Sequence, residues 1–344
     1  MLRTAAARTG TVGAVIAVVG ADTDVGGRVV RRLAADLPGG SVVGLPMAGA
    51  SLPESCQTVV LAAYGDHDAL ARRRRSAVGG LGDLLEQASA RGVDQVVLVS
   101  SAMVYGAWPN NPVPLTEEAL LRPDHGFAYA RQLAVAELLV DSWRLGKPGR
   151  RVAVLRPAPA MAADGTSSVV RALAAGYGLR AGEDDAPCQF VHLDDVVAAV
   201  DLAVLDGLDG VFNVAPEGGI DAATVRALAG DRPRVRLPGR MAELAVQIRW
   251  RFQRGPIPPG LRPYTRWPWL VASDRLRVRG WRPSATNEQV YVEGTEPRWW
   301  TMLTPQRKQE LSLGVFGVAL VVTLVVLGRT TRRVVRARRV AQRA

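Results

Sequence analysis

The chain has 344 residues, 48% of them hydrophobic, which is enough for a full α/β domain with a further lobe and too apolar for general disorder. Its formal net charge is +11, but seven arginines lie in the final stretch RTTRRVVRARRVAQRA, so 11 minus 7 leaves about +4 elsewhere. The body is nearly balanced, the arginine run Arg72 to Arg75 reads as a solvated helix face, and nucleic acid is not an expected partner. Cys56 and Cys188 are far apart and the three histidines are scattered, so no metal site or disulfide framework is expected, and reduced thiols fit a cytosolic body.

The segment AVIAVVGADTDVGGRVVRRLAADLPGG reads as a buried strand, a glycine turn and an amphipathic helix with Val29, Val30 and Leu33 on one side. SVVGL and QTVVLAAYG follow as short strands, then LGDLLEQASARG as a helix with Leu81, Leu84, Leu85 and Ala88 at helical spacing. VDQVVLVSSAMVYG is a strand running into a loop, the segment around Tyr129 is a helix, and RVAVLRPAP is again a strand. Valine-rich strands alternating with helices predict a doubly wound parallel α/β sheet, covered on both faces. Beyond it come QFVHLDDVVAAVDLAVLDG, a short strand GVFNVAP, and RGPIPPGLRPYTRWPWL, which reads as loops around a smaller lobe.

LSLGVFGVALVVTLVVLG, residues 311–328, carries no charge over eighteen residues. At 1.5 Å per residue it spans roughly 27 Å against a hydrocarbon core of about 30 Å, so it reads as a transmembrane helix followed by the arginine-rich tail. The excess of arginine after the helix would place the tail in the cytoplasm and the body outside, which conflicts with a cofactor-type domain. The reading adopted is a cytoplasmic body whose tail either crosses against that rule or lies along anionic lipid. A cleaved signal peptide at the N-terminus is rejected, because cleavage would remove the first strand.

In this order, VVGADTDVGG, VVLAAYG, GVDQVVLVSSAMVYG, YARQLAVAE, VAVLRPAP, QFVHLDDVVAAV, VFNVAP and DRLRVRGWRPSATNEQV resemble the extended short-chain dehydrogenase/reductase family, the NAD-dependent epimerase/dehydratases that act mostly on nucleotide sugars. The resemblance covers about residues 14–292. It implies a Rossmann-like domain over 12–160 with remaining sheet elements and a smaller substrate-type lobe over 161–300; the membrane helix at 311–328 and the tail at 329–344, read from their own composition, complete the expected organisation. It also implies NAD or NADP as cofactor, no metal, and a sugar nucleotide as substrate.

The resemblance gives cofactor-binding positions Gly20, Thr23 and Gly26, where the family pattern is Gly-x-x-Gly-x-x-Gly around a pyrophosphate at a helix N-terminus. A β-branched residue in the middle is expected to narrow the approach and to resist positive φ. After the second strand the chain offers GLPMAGA, with neither an acid for the ribose hydroxyls nor an arginine for a 2′-phosphate, and the connection to TVVLAA is too short for the usual helix, strand and helix, so the third strand that helps wall the adenine is expected to be shortened or absent.

As catalytic residues the resemblance implies Tyr129 as acid/base and Ser101 as the hydroxyl that bonds substrate. Leu133 stands in place of the expected lysine, one helical turn beyond Tyr129 and on its face. Without an ammonium a tyrosine of pKa near 10 is ionised about one part in a thousand at neutral pH, and a mispoised base forfeits on the order of 10² to 10⁴ in rate. Lys147 and Arg131 are not convincing substitutes. The family's Arg-Pro-x-Asn reads Arg156-Pro157-Ala158-Pro159, and proline has no donor to give. His192 and Asp195 read as fixing the lobe junction and capping a helix.

Three readings follow. One is a membrane-tethered, ligand-binding or partner-binding pseudo-enzyme of epimerase/dehydratase type. Another is an active NAD(P)-dependent epimerase/dehydratase or reductase on a nucleotide- or lipid-linked sugar. A third makes the arginine tail the working part, bound to anionic membrane lipid or to an acidic partner with the body as cargo; a protein partner in the membrane is a further expected contact of the tethered chain.

Overall fold

In the computed structural model the described residues are 15–37, 39–62, 77–177, 186–229 and 259–295, and they fall in one compact unit ending at Thr295. Arg72 to Arg75, the apolar run 311–328 and the arginine tail lie outside them. Among the described residues no helix is long and apolar enough to cross a membrane.

A six-stranded sheet forms the centre. Its strands are β1 (Val15–Val19), β2 (Val42–Leu45), β3 (Cys56–Leu61), β4 (Gln95–Val99), β5 (Arg151–Pro157) and β8 (Gly210–Val214), in the spatial order β2-β1-β3-β4-β5-β8. Every neighbouring pair is parallel. The interior strands are valine runs that alternation cannot describe, because both faces are covered; all five residues of β4, QVVLV, are buried. Helices α1 (Asp24–Asp36) and α5 (Leu193–Leu205) pack together, as do α2 (Ala77–Ala90) and α3 (Ala128–Leu145), giving the doubly wound layers that the sequence predicts. A two-stranded parallel pair, β6 (Ala160–Met161) with β7 (Val191–His192), flanks α4 (Ser168–Gly176).

The chain leaves β1 through α1 to β2 on one side, then crosses back so that β3 pairs on the other side of β1. This reversal is the topological switch point, where open α/β sheets place their ligands. The connection from β2 to β3 contains no helix, and among the described residues no strand lies beyond β2. The expected loss of the third strand therefore holds: β2 is the sheet edge, and its valines are only half-buried.

The proline- and tryptophan-rich segment is more ordered than loops would be. A 3₁₀ turn over Pro259–Leu261 leads into α7 (Arg262–Arg266), which follows α6 (Ala222–Ala229); α8 (Asp274–Val278) and α9 (Asn287–Gly294) come next. Tyr264 and Trp269 are buried there and Trp267 is half-buried, and Trp281 further on is buried as well, so most of these aromatic side chains contribute to the core.

Candidate active site

Tyr129 is the second residue of α3, on the face that also carries Ala130, Leu133, Ala136, Glu137 and Val140 inward. Ser101 ends the loop after β4 and caps the 3₁₀ turn Ala102–Tyr105, its hydroxyl accepting the Met103 N–H at 3.2 Å. The two residues expected to act together border the same space. They line one cavity of about 30 Å³ with Ser100, Met103, Pro157, Ala158, Pro159, Ala160, Ser167, Val169 and Val170. That is room for about two waters, against roughly 300 Å³ or more for a ligand pocket. Leu133 is fully buried, whereas Arg131 is exposed on the opposite side of the helix.

Aromatic side chains close the approach from the C-terminal segment. Tyr264 donates to the Met103 carbonyl at 2.6 Å. Its ring lies 5.7 Å from Phe127, whose ring is 5.6 Å from Tyr129. Burial drives the Tyr264 hydroxyl far above the ordinary tyrosine range, so it is a fixed donor and not a proton carrier.

Beneath the cavity runs a buried polar chain that sequence reasoning did not single out. The Ser100 hydroxyl donates to Glu137 at 2.5 Å. Glu137 pairs with Arg156 at 2.6 Å, Arg156 donates to the Tyr105 hydroxyl at 2.8 Å, and that hydroxyl donates to Asn213 at 2.8 Å. Burial alone would lower the pKa of Arg156, but Glu137 and Tyr105 together raise it above the ordinary arginine value, so the guanidinium stays charged. A glutamate eight residues past Tyr129 lies on the same helix face, among apolar neighbours. That placement is a readable signal that a cation or hydrogen-bond donors must meet it, and the structure supplies both from Arg156 on β5 and Ser100.

The glycine turn is built differently from expectation in one respect. Gly20 has φ +92° and fits the left-handed bend, and a Cβ on Gly26 would sit 1.9 Å from the Gly20 carbonyl oxygen. Thr23, however, has φ −101° and is unstrained. Its hydroxyl donates to the Gly20 carbonyl at 2.7 Å and accepts the Gly26 N–H at 3.0 Å. The threonine therefore turns inward and caps α1, a common use of this residue. The expected backbone penalty does not arise.

Asp24 opens α1 and lines a second cavity, of about 310 Å³, with Asp164 and Arg171. Arg28 forms ion pairs with Asp164 and, at 2.6 Å, with Asp194, holding the loop after β6 and the start of α5 against α1. On the other side of the turn the Asp22 carboxylate accepts the Met47 N–H at 3.3 Å, in the loop where a ribose-binding acid would stand. Among the described residues no group of histidine, cysteine and acidic side chains could hold a metal ion.

Residues 50–215, from just before β3 to the end of β8, match the family model described as the NAD dependent epimerase/dehydratase family. Over that stretch the chain is similar to that family. In fold it is similar to UDP-glucose 4-epimerase of Thermus thermophilus, solved with NAD, at 19% identity and TM-score 0.57, covering 81% of this chain and 97% of that one. It is similar also to RMD from Pseudomonas aeruginosa, solved with NADPH, at 22% identity and TM-score 0.58, over 81% and 98% of the two chains. An uncharacterized protein of Mycobacterium tuberculosis strain H37Rv and another of Mycobacterium bovis are each 29% identical over 150 residues. The match spans 44% of this chain and 40% of those relatives.

Within this epimerase/dehydratase frame the retained junction motif is structural. The His192 imidazole accepts the Asp194 N–H and caps α5. Asp195 is buried, its carboxylate accepting the Ser284 N–H and its carbonyl the Trp281 indole N–H, so it fastens the C-terminal segment to α5. Pro159 likewise serves the backbone: its carbonyl accepts the Val191 N–H at 3.1 Å beside the β6–β7 pair.

Proposed function

We propose that this epimerase/dehydratase-family protein is a pseudo-enzyme that binds a ligand or partner through its retained shape and does not carry out hydride transfer. The observation that carries the reading is Leu133, which is buried at the position that the family gives to lysine. Tyr129 then has no ammonium one turn away to hold its phenolate. Three further features support the reading. The cavity shared by Tyr129 and Ser101 is too small for a nicotinamide ring. Beside the glycine turn, β2 is an edge strand with no acid at its end, and Asp24 stands at the helix end where a pyrophosphate would sit. The residues present thus fit a tightly held NAD or NADP poorly, and no chemical step is assigned to either.

The second reading is an active NAD(P)-dependent epimerase/dehydratase or reductase on a nucleotide- or lipid-linked sugar. It is favoured by Tyr129 and Ser101 facing one cavity. Assay of the purified protein with UDP-sugars and each dinucleotide, beside Leu133→Lys, separates the two. The pseudo-enzyme reading predicts no turnover by the natural chain; turnover that Tyr129→Phe abolishes would establish the active enzyme.

The proposal includes a tether: the uncharged run 311–328 and the arginine tail hold a cytoplasmic body to a membrane. Flotation with anionic vesicles should retain the full chain and lose a chain truncated after residue 310. Equal recovery of both would remove the tether from the account.

A further inference from the structure

We infer that Asp24, seconded by Asp22 and Asp164, is a specificity determinant that excludes diphosphate groups from the α1 N-terminus; the inference rests on the pseudo-enzyme reading and deepens it. A bare helix end is an anion site because its first N–H groups and its dipole both favour negative charge. In this chain, Thr23 already occupies the Gly26 N–H. Asp24, at the first helical position, is exposed and lines the 310 Å³ cavity, and Asp164 lines it as well. Asp22 is exposed on the same turn.

The cations nearby do not offset these acids. Arg28 is committed to Asp164 and Asp194, which leaves Arg171 as the other cationic side chain lining the cavity. With the paired groups counted on both sides, Asp24, Asp164 and Asp194 outnumber Arg28 and Arg171, and Asp24 is the acid left without a cation, so an entering diphosphate would meet like charge. The loop carrying Asp164 is held close: a Cβ on Gly165 would lie 2.8 Å from a Leu193 methyl and 3.7 Å from the Asp24 Cβ. The helix end favours its own Asp24 carboxylate for the same reason that it would favour a phosphate, so the site is filled electrostatically from within the chain.

Calorimetric titration with inorganic pyrophosphate at low salt tests this, using the full chain, Asp24→Asn and Asp22→Asn/Asp24→Asn. Asp83→Asn/Glu86→Gln, two exposed acids on α2, controls for net charge. The expected result is no saturation for the natural chain and the control, and affinity raised on the order of 10-fold or more in the double variant, shrinking as salt is added. Thermal unfolding identifies any variant that fails to fold, and Asp24→Ser then replaces it. Folded Asp24 variants that gain nothing, or a control that gains as much, would overturn the inference while leaving the pseudo-enzyme reading in place. Tight binding of NADH with turnover by the natural chain would instead overturn that reading.

Discussion

Thr23 shows how one side chain can change the meaning of a motif. In the sequence it is a defect in a glycine pattern; in the fold it is a cap with two hydrogen bonds inside the turn. Thr23→Ala should therefore cost about 1 kcal/mol in chemical denaturation, the usual worth of an N-cap. Gly26→Ala should cost considerably more, because its Cβ would overlap the Gly20 carbonyl. Equal, negligible losses would show that the turn is looser than described. Leu133 is the complementary case. Its place in the motif is legible in the sequence, where Leu133 with Ala136 reads as apolar helix packing, and the structure buries both completely. Asp24 was overlooked for a related reason: an acid in a first helical turn is ordinary capping chemistry, and only the cavity that it lines gives it another role.

At the scale of elements, the strands and the helices of the sheet were readable because buried parallel strands are continuous valine runs and the helices have clear apolar faces. The shortened β2–β3 connection was readable from chain length alone, and the sheet order bears it out. The helical turns over 259–266 were not, since prolines there suggested loops while Pro263 instead sits in the first turn of α7. Nor was the chain Ser100–Glu137–Arg156–Tyr105–Asn213, whose members come from four separate segments. This chain ties α3 to β5 through a buried ion pair. Glu137→Ala should destabilise the protein by about 3–5 kcal/mol, since it strands the Arg156 charge. Replacing Glu137 by Leu and Arg156 by Met together should recover much of that loss. A double variant as unstable as the single one would place the value of the pair in its geometry and not in charge compensation.

For the whole molecule, the proposed reading is a parallel sheet that keeps its central strands beside a site that carries Leu133 and Pro159 where the family resemblance expects lysine and asparagine, Asp24 at the helix end, and, among the described residues, an edge strand with no acid. Fold and lobe-junction residues follow from packing, which tolerates few alternatives, whereas cofactor contacts depend on single atoms that packing does not protect. The most direct measurement is calorimetric titration of the full chain with NAD⁺, NADH, NADP⁺ and NADPH. The account predicts no saturable heat for any of them up to millimolar concentration. Micromolar binding accompanied by reduction or oxidation of the nicotinamide would contradict it.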